Sequence, residues 1–181
     1  MRHSDSYTRT AIGLHWLVAI AIVATFGVGF YMHGLPLTPM KLKIYSWHKW
    51  AGVTIFMLVL FRLVWRFIHR PPGPPVGMPA LQHALAELAH RLIYILMIGI
   101  PLTGWLMSSA KGFQTVYFGM LPLPDLLAKN KELGNELAVV HTVLNFTLIG
   151  LVLGHAGAAI KHHFIDRDDV LARMLPFIRK F

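Results

Sequence analysis

Four long apolar runs dominate the pattern of hydrophobic and polar positions along this chain. They extend over Ala11–Met32, Trp47–Ile68, Leu88–Ser108 and Leu137–Lys161. Each is close to the ~20 residues that a helix needs to cross a bilayer. Proline pairs such as Pro71-Pro72 lie between the runs, and proline does not continue a helix. The pattern predicts an all-α membrane protein, a four-transmembrane-helix bundle that forms a single domain over residues 1–181.

Composition supports a membrane protein and removes several kinds of chemistry. Of the 181 residues, 55% are hydrophobic and only 14% are charged, with a mean hydropathy of +0.55. Soluble domains carry about 25% charged residues. The chain has no cysteine. This excludes disulfides, iron–sulfur clusters, thiolate zinc sites and covalently attached c-type haem.

The distribution of basic residues predicts the orientation in the membrane. The net charge is +9, from 17 Lys and Arg against 8 Asp and Glu. Segments on the side of the N-terminus contain eleven basic residues, among them all nine arginines: Arg2, Arg9, Arg62, Arg66, Arg70, Arg91, Lys161, Arg167, Arg173, Arg179 and Lys180. The opposite side contains only Lys41, Lys43, Lys49, Lys111, Lys129 and Lys131. The positive-inside rule therefore places both termini in the cytoplasm, and the basic charge is a topology signal, not a nucleic-acid site.

Four of the eleven histidines lie inside the apolar runs, where an ionisable residue suggests a functional site. His15 lies six residues after Arg9, and His155 lies six residues before Lys161, so both are near the inner ends of their helices. His48 and His141 lie near the outer ends of the second and fourth helices. The four histidines therefore form two pairs, and each pair combines two helices at one depth.

The spacing within the fourth helix favours two stacked b-type haems. His141 and His155 are 14 residues apart, about four turns, so they share one face and lie roughly 21 Å apart along the axis. Two imidazoles on each iron leave no open position, which favours electron transfer. The alternative is that these histidines form interhelical hydrogen bonds in a transporter or scaffold without haem. No Asp or Glu lies in the middle of a span, which argues against a metal transporter or proton pump.

Several short motifs, in this order, resemble the prokaryotic cytochrome b561 family, and within it the superoxide oxidase type. They are Ile12-Gly13-Leu14-His15-Trp16-Leu17, His48-Lys49-Trp50-Ala51-Gly52, Arg62-Leu63-Val64-Trp65-Arg66, His90-Arg91-Leu92-Ile93-Tyr94, Pro101-Leu102-Thr103-Gly104-Trp105, His155, His162-His163-Phe164 and Asp169–Pro176. The resemblance covers nearly the whole chain. It implies a bacterial inner (cytoplasmic) membrane protein with two haem b groups.

The resemblance also implies a function and the ligands of each iron. His15 with His155 would bind the inner haem iron, and His48 with His141 the outer one, which is the pairing that depth gives. The implied reaction oxidises superoxide to oxygen at the periplasmic face and passes electrons through both haems to ubiquinone. The alternative is a cytochrome b electron-transfer subunit that serves a dehydrogenase or hydrogenase partner without superoxide chemistry of its own.

Six further residues are candidates for the remaining roles. Lys49 and Lys111, within the lysine-rich outer surface, are candidates for electrostatic steering of superoxide, although they would also suit an ordinary solvated loop. Arginine suits carboxylates, so Arg9 and Arg91 are candidate partners of the haem propionates. His162 follows His155 by about two turns and is a candidate quinone contact or proton relay. His90, at the predicted start of the third helix, is a candidate propionate or quinone contact.

Overall fold

Four long helices make up most of the chain. A computed structural model describes residues 6–75 and 77–178. Helix α1 spans Arg9–His33, α2 spans Pro39–Ile68, α3 spans Ala80–Ala110 and α4 spans Lys131–Lys161. Of the basic residues used to predict orientation, Arg2, Arg179 and Lys180 lie outside the described part.

Polar caps begin three of the helices. The side chains of Thr8, Thr38 and Asn130 accept hydrogen bonds from backbone N–H groups of the first turns of α1, α2 and α4. Such caps supply partners for N–H groups that have none within the helix. Helices α2 and α4 begin at these caps, eight and six residues before the predicted spans. Helix α3 begins directly after Pro79, eight residues before its predicted span. The prediction that His90 and Arg91 begin the third helix is therefore wrong, since α3 begins at Ala80.

The helices pack into a bundle with an apolar core and an apolar surface. The core cluster draws on all four helices and consists of Val18, Ile55, Val59, Leu96, Met97, Ile100 and Leu148. Large side chains on the outside are exposed as well, such as Phe30 at 71% and Phe67 at 89%. A bundle that is apolar on its outer surface is stable in lipid and not in water. The four predicted membrane spans are thus confirmed as four apolar helices of membrane-crossing length.

A small hairpin, which the sequence did not predict, closes one end of the bundle. Strands β1 (Val116–Tyr117) and β2 (Leu121–Pro122) pair antiparallel, and Phe118 and Gly119 between them adopt positive φ. The loop has three residues, Phe118–Met120, and positive φ is common in hairpin loops of this length. Trp50 Nε1 donates to the Val116 carbonyl at 2.7 Å, so the hairpin is tied to α2 at the end of the bundle that carries His48.

The first turns of α1, the α2–α3 connection and the segment after α4 meet at the opposite end. The Trp16 indole N–H donates to the Met174 carbonyl at 2.8 Å, and the Arg173 guanidinium donates to the Gly73 carbonyl at 2.6 Å. Helix α4 continues into a π-helical turn over His162–Asp166, which ends at Arg167 with φ of 55°. The carboxyl-terminal segment therefore packs under the end of the bundle that carries His15 and His155.

The absence of native cysteine permits a direct test of orientation. We expect Gln114→Cys, on the exposed connection between α3 and β1, to react with a membrane-impermeant maleimide in intact cells. Ala80→Cys, exposed at the start of α3, should react only after the membrane is opened. Labelling of Ala80→Cys alone in intact cells would reverse the predicted topology.

Candidate haem-binding site

Two histidines meet near the inner ends of α1 and α4. The imidazole centroids of His15 and His155 lie 6.2 Å apart, with the ring planes inclined at 56°. Both side chains are partly buried. The structure therefore brings together the two residues that the sequence places at one depth.

A second pair lies toward the other end, between α2 and α4. The centroids of His48 and His141 are 6.4 Å apart, and their planes are inclined at 79°. Both residues line one cavity between the helices, together with Gly52 and Asn145. Helix α4 contributes one histidine to each pair.

The separation of the rings matches ligation of a single metal ion by each pair. Two imidazole nitrogens bonded in line to one metal at about 2 Å place the ring centroids about 6.3 Å apart, since each nitrogen lies about 1.15 Å from its centroid. The two observed separations, 6.2 and 6.4 Å, bracket this value. His90 also contacts His155, but their centroids are only 5.0 Å apart in a T-shaped contact, which is too short for a metal between them.

Two glycines allow the outer imidazoles to approach neighbouring helices closely. A Cβ atom on Gly29 of α1 would lie 3.0 Å from His48 Cε1, and one on Gly104 of α3 would lie 3.1 Å from His141 Cε1. Contacts this short are closer than carbon atoms normally pack. Gly52, by contrast, has open space around it and lines the cavity, as expected beside a flat group.

The orientation of His141 is fixed by a carbonyl group. Its Nδ1 lies 3.1 Å from the Ile100 carbonyl oxygen and 3.1 Å from the Thr103 hydroxyl. An Nδ1–H that donates to a carbonyl selects the tautomer in which Nε2 is free to bind a metal. The donor set at this end therefore fits a b-type haem, in which imidazole nitrogen binds iron.

The inner pair is bordered by a cation that the sequence interpretation overlooked. Arg62 Nη2 lies 3.0 Å from His15 Nδ1, and Arg62 Nε donates to the Tyr94 hydroxyl at 2.9 Å. The topology argument had assigned Arg62 to the inner segments, but its side chain lies inside the bundle. The position of Arg62 within the predicted second span was the sequence signal for a role inside the bundle, because intramembrane charges usually serve a function.

The two arginines predicted to bind propionates lie elsewhere. Arg91 is paired with Glu87 at 2.9 Å, and its side chain is 74% exposed. His90 and Arg91 are about 100° apart around α3, so the contact of His90 with His155 directs Arg91 away. Arg9 begins α1 and is exposed. The structure brings neither arginine into hydrogen-bonding contact with the inner pair.

His162 is held by two carboxylates in the π-helical turn. Its Nδ1 lies 2.7 Å from Asp168 Oδ2 and 3.1 Å from Asp166 Oδ2, and Lys161 also binds Asp166. The imidazole is 13% exposed, so it keeps some access to solvent. Because the two carboxylates fix the orientation of the ring, the arrangement is suited to proton transfer.

The two candidate steering lysines lie at the outer end. Lys49 Nζ donates to the Phe113 carbonyl at 2.8 Å, which ties α2 to the connection after α3. The Lys111 stem packs against α4, where a Cβ on Gly134 would lie 2.7 Å from Lys111 Cγ. The Lys49 ammonium is therefore held by a carbonyl at this end of the bundle, and the Lys111 stem is packed against α4.

Comparison with known proteins finds matches over nearly the whole chain. Residues 6–177 match the family model described as prokaryotic cytochrome b561. The chain is 32% identical to "Cytochrome b561 homolog 2" of Escherichia coli (strain K12) over 172 residues, which covers 94% of this chain and 92% of that protein. It is 28% identical to "Probable superoxide oxidase CybB" of Yersinia pestis over 174 residues, covering 94% and 96% of the two chains.

The fold and the paired histidines define an integral membrane cytochrome of the electron-transfer class. The chain belongs to the prokaryotic cytochrome b561 family, whose members bind b-type haem and transfer electrons in the membrane. It is a multi-pass protein of the bacterial inner membrane. The family expected from the sequence is thus confirmed.

The close contact at Gly104 predicts a selective loss of cofactor. Gly104→Val should displace the His141 imidazole, because the added Cβ already lies 3.1 Å from its Cε1. We expect the haem content per purified chain to fall, with an overpacking cost of about 1–3 kcal/mol in stability. The matched control is Gly99→Val on the same helix, where a Cβ meets nothing within 4 Å. Equal haem content in the two variants would show that His141 does not depend on this contact.

Proposed function

We propose that this protein is a dihaem superoxide:ubiquinone oxidoreductase of the inner membrane. The observation that carries the proposal is the presence of two histidine pairs at two depths of one bundle. The imidazole centroids within the two pairs are 6.2 and 6.4 Å apart. His15 and His155 are the proposed ligands of the inner haem iron, and His48 and His141 those of the outer one. Bound in these positions, two b-type haems supply one-electron transfer across the bilayer.

The net reaction follows from coupling a one-electron donor to a two-electron acceptor. Two superoxide anions each lose one electron at the periplasmic face and become oxygen. One ubiquinone takes up these two electrons and two protons and becomes ubiquinol. The name of the Yersinia relative, "Probable superoxide oxidase CybB", supports this choice of substrate at 28% identity.

Lysines at the outer end suit an anionic substrate. Lys49 and Lys111 lie beside the hairpin that closes the bundle over the His48–His141 pair. Positive charge around a site raises the local concentration of an anion and its association rate. We assign these two lysines to steering superoxide, together with four further lysines of the predicted outer surface.

The inner end supplies the groups that quinone reduction needs. Ubiquinone must gain protons, and His162 is held by Asp168 and Asp166 in a form suited to proton delivery. His90, in contact with His155, is the second candidate quinone contact. For the propionates, Arg9 and Arg91 remain candidates; both are exposed, and Arg91 is paired with Glu87.

An electron-transfer subunit is the second candidate function. Its support is that the 32% identical relative is named only as a cytochrome b561 homolog. In that case a dehydrogenase or hydrogenase partner would exchange electrons with this chain, and superoxide would not be its substrate. The two functions use the same histidine pairs and differ only in the donor.

Superoxide-dependent quinone reduction by the purified protein separates the two functions. We expect superoxide to reduce the haems of the wild-type protein rapidly and ubiquinone to reoxidise them. His48→Ala should abolish this reaction because it removes a proposed outer ligand. His33→Ala, in the last turn of α1 and outside both pairs, is the matched control and should behave as wild type.

If dithionite reduces the haems but superoxide does not, the proposed substrate is contradicted. That result would favour the electron-transfer subunit, since the scaffold would be intact without its own donor chemistry.

The steering role of Lys49 predicts a rate effect that depends on salt. Lys49→Gln should lower the second-order rate with superoxide about two- to threefold at low ionic strength, and the deficit should shrink as salt screens the field. Lys49→Arg keeps the charge and should retain the rate. A deficit that is the same at all salt concentrations would assign Lys49 to holding the Phe113 segment and not to steering.

A further inference from the structure

The two histidine pairs differ in the charge of the groups that contact them. At the inner pair, the Arg62 guanidinium lies 3.0 Å from His15 Nδ1. At the outer pair, the group facing His141 Nδ1 is the neutral carbonyl of Ile100. One site therefore has a cation beside its imidazole, and the other has a hydrogen-bond acceptor.

Arg62 is an intramembrane cation held by neutral partners. Its Nε donates to the Tyr94 hydroxyl at 2.9 Å, and the guanidinium lies 5.7 Å from the centroid of the Tyr94 ring. Among the described residues, no carboxylate forms an ion pair with it. Since no neighbouring anion cancels its charge, the positive potential of Arg62 extends to the His15–His155 pair.

The outer pair has no equivalent cation. Lys49 follows His48 in the sequence, but its ammonium is directed to the Phe113 carbonyl. Within residues 6–75 and 77–178, no lysine or arginine is hydrogen-bonded to His48 or His141. The asymmetry is therefore confined to Arg62 at the inner end.

We propose that Arg62 sets the direction of electron flow by raising the reduction potential at the His15–His155 site above that at the His48–His141 site. This inference rests on the proposed function, because it needs a haem at each pair. Reduction adds a negative charge, and a nearby cation stabilises the reduced form. An imidazole that donates to a carbonyl becomes a stronger electron donor to the metal, which stabilises the oxidised form.

The effect of Arg62 does not depend on its hydrogen bond to His15. A guanidinium only donates, so that hydrogen bond requires Nδ1 to accept, whereas ligation through Nε2 puts a proton on Nδ1. The contact of Arg62 with Tyr94 keeps the charge beside His15 in either tautomer. A cation facing Nδ1–H makes the imidazole a weaker donor, which raises the reduction potential further.

The electrical potential across the membrane explains why a difference in reduction potential between the two sites is useful. With the predicted orientation, electrons from a periplasmic donor move toward the cytoplasmic side, which is electrically negative. That movement is unfavourable for a negative charge. A higher reduction potential at the inner site compensates for it.

A redox titration of both haems in Arg62 variants tests the proposal. In Arg62→Gln we expect one wave, that of the inner haem, to fall by about 59 mV, which is a tenfold change in a one-electron equilibrium. The other wave should stay unchanged. Arg62→Lys keeps the positive charge and should restore most of the wild-type potential. His48→Ala, which keeps only the inner pair, identifies the inner wave.

The outcomes test the role of Arg62 and the proposed function separately. Two haems whose potentials are unchanged in Arg62→Gln would overturn the role of Arg62 and leave the proposed function standing. A single haem in the wild-type protein would contradict the proposed function itself. If Arg62→Gln loses the inner haem, Tyr94→Phe, which releases the guanidinium from its anchor, should lower the same wave by a smaller amount. An unchanged wave in Tyr94→Phe would then overturn the inference.

Discussion

Pairing of histidines inside an apolar bundle is the constraint on which the rest of this structure depends. An imidazole has two ring nitrogens, and leaving either without a partner in a lipid-surrounded core costs free energy. The Ile100 carbonyl accepts a hydrogen bond from Nδ1 of His141, which leaves Nε2 of that ring free to bind a metal. Ring separations of 6.2 and 6.4 Å match one metal ion shared by each pair. Haem ligation therefore explains both the burial of these polar groups and their spacing.

The two ends of the bundle provide different chemistry around similar histidine pairs. The hairpin, tied to α2 through Trp50 and Lys49, covers the end that carries the lysines. The other end collects the carboxyl-terminal segment and the His162–Asp168 contact. Outer positive charge suits an anionic donor, and an inner proton-transferring group suits a quinone. Such a division is expected of a protein that couples reactions on opposite sides of a membrane.

The sequence predicted the features that obey a simple periodicity. Hydropathy gave the four spans, and a 14-residue interval on α4 gave two inward histidines at two depths. It did not predict features that depend on three-dimensional neighbours. The hairpin requires positive φ at Phe118 and Gly119 together with contacts to α2. The burial of Arg62 and the exposure of Arg91 depend on which face each helix turns inward, which charge counting along the chain does not show.

The central claim is tested most directly by the haem content of the purified protein and of variants in which one histidine is replaced by alanine. The account predicts two b-type haems per chain in the wild-type protein, and one in each of His15→Ala and His48→Ala. Each remaining haem should carry the spectrum of bis-imidazole iron. A single haem in the wild-type protein, or loss of both haems from either variant in a folded preparation, would contradict two independent histidine pairs.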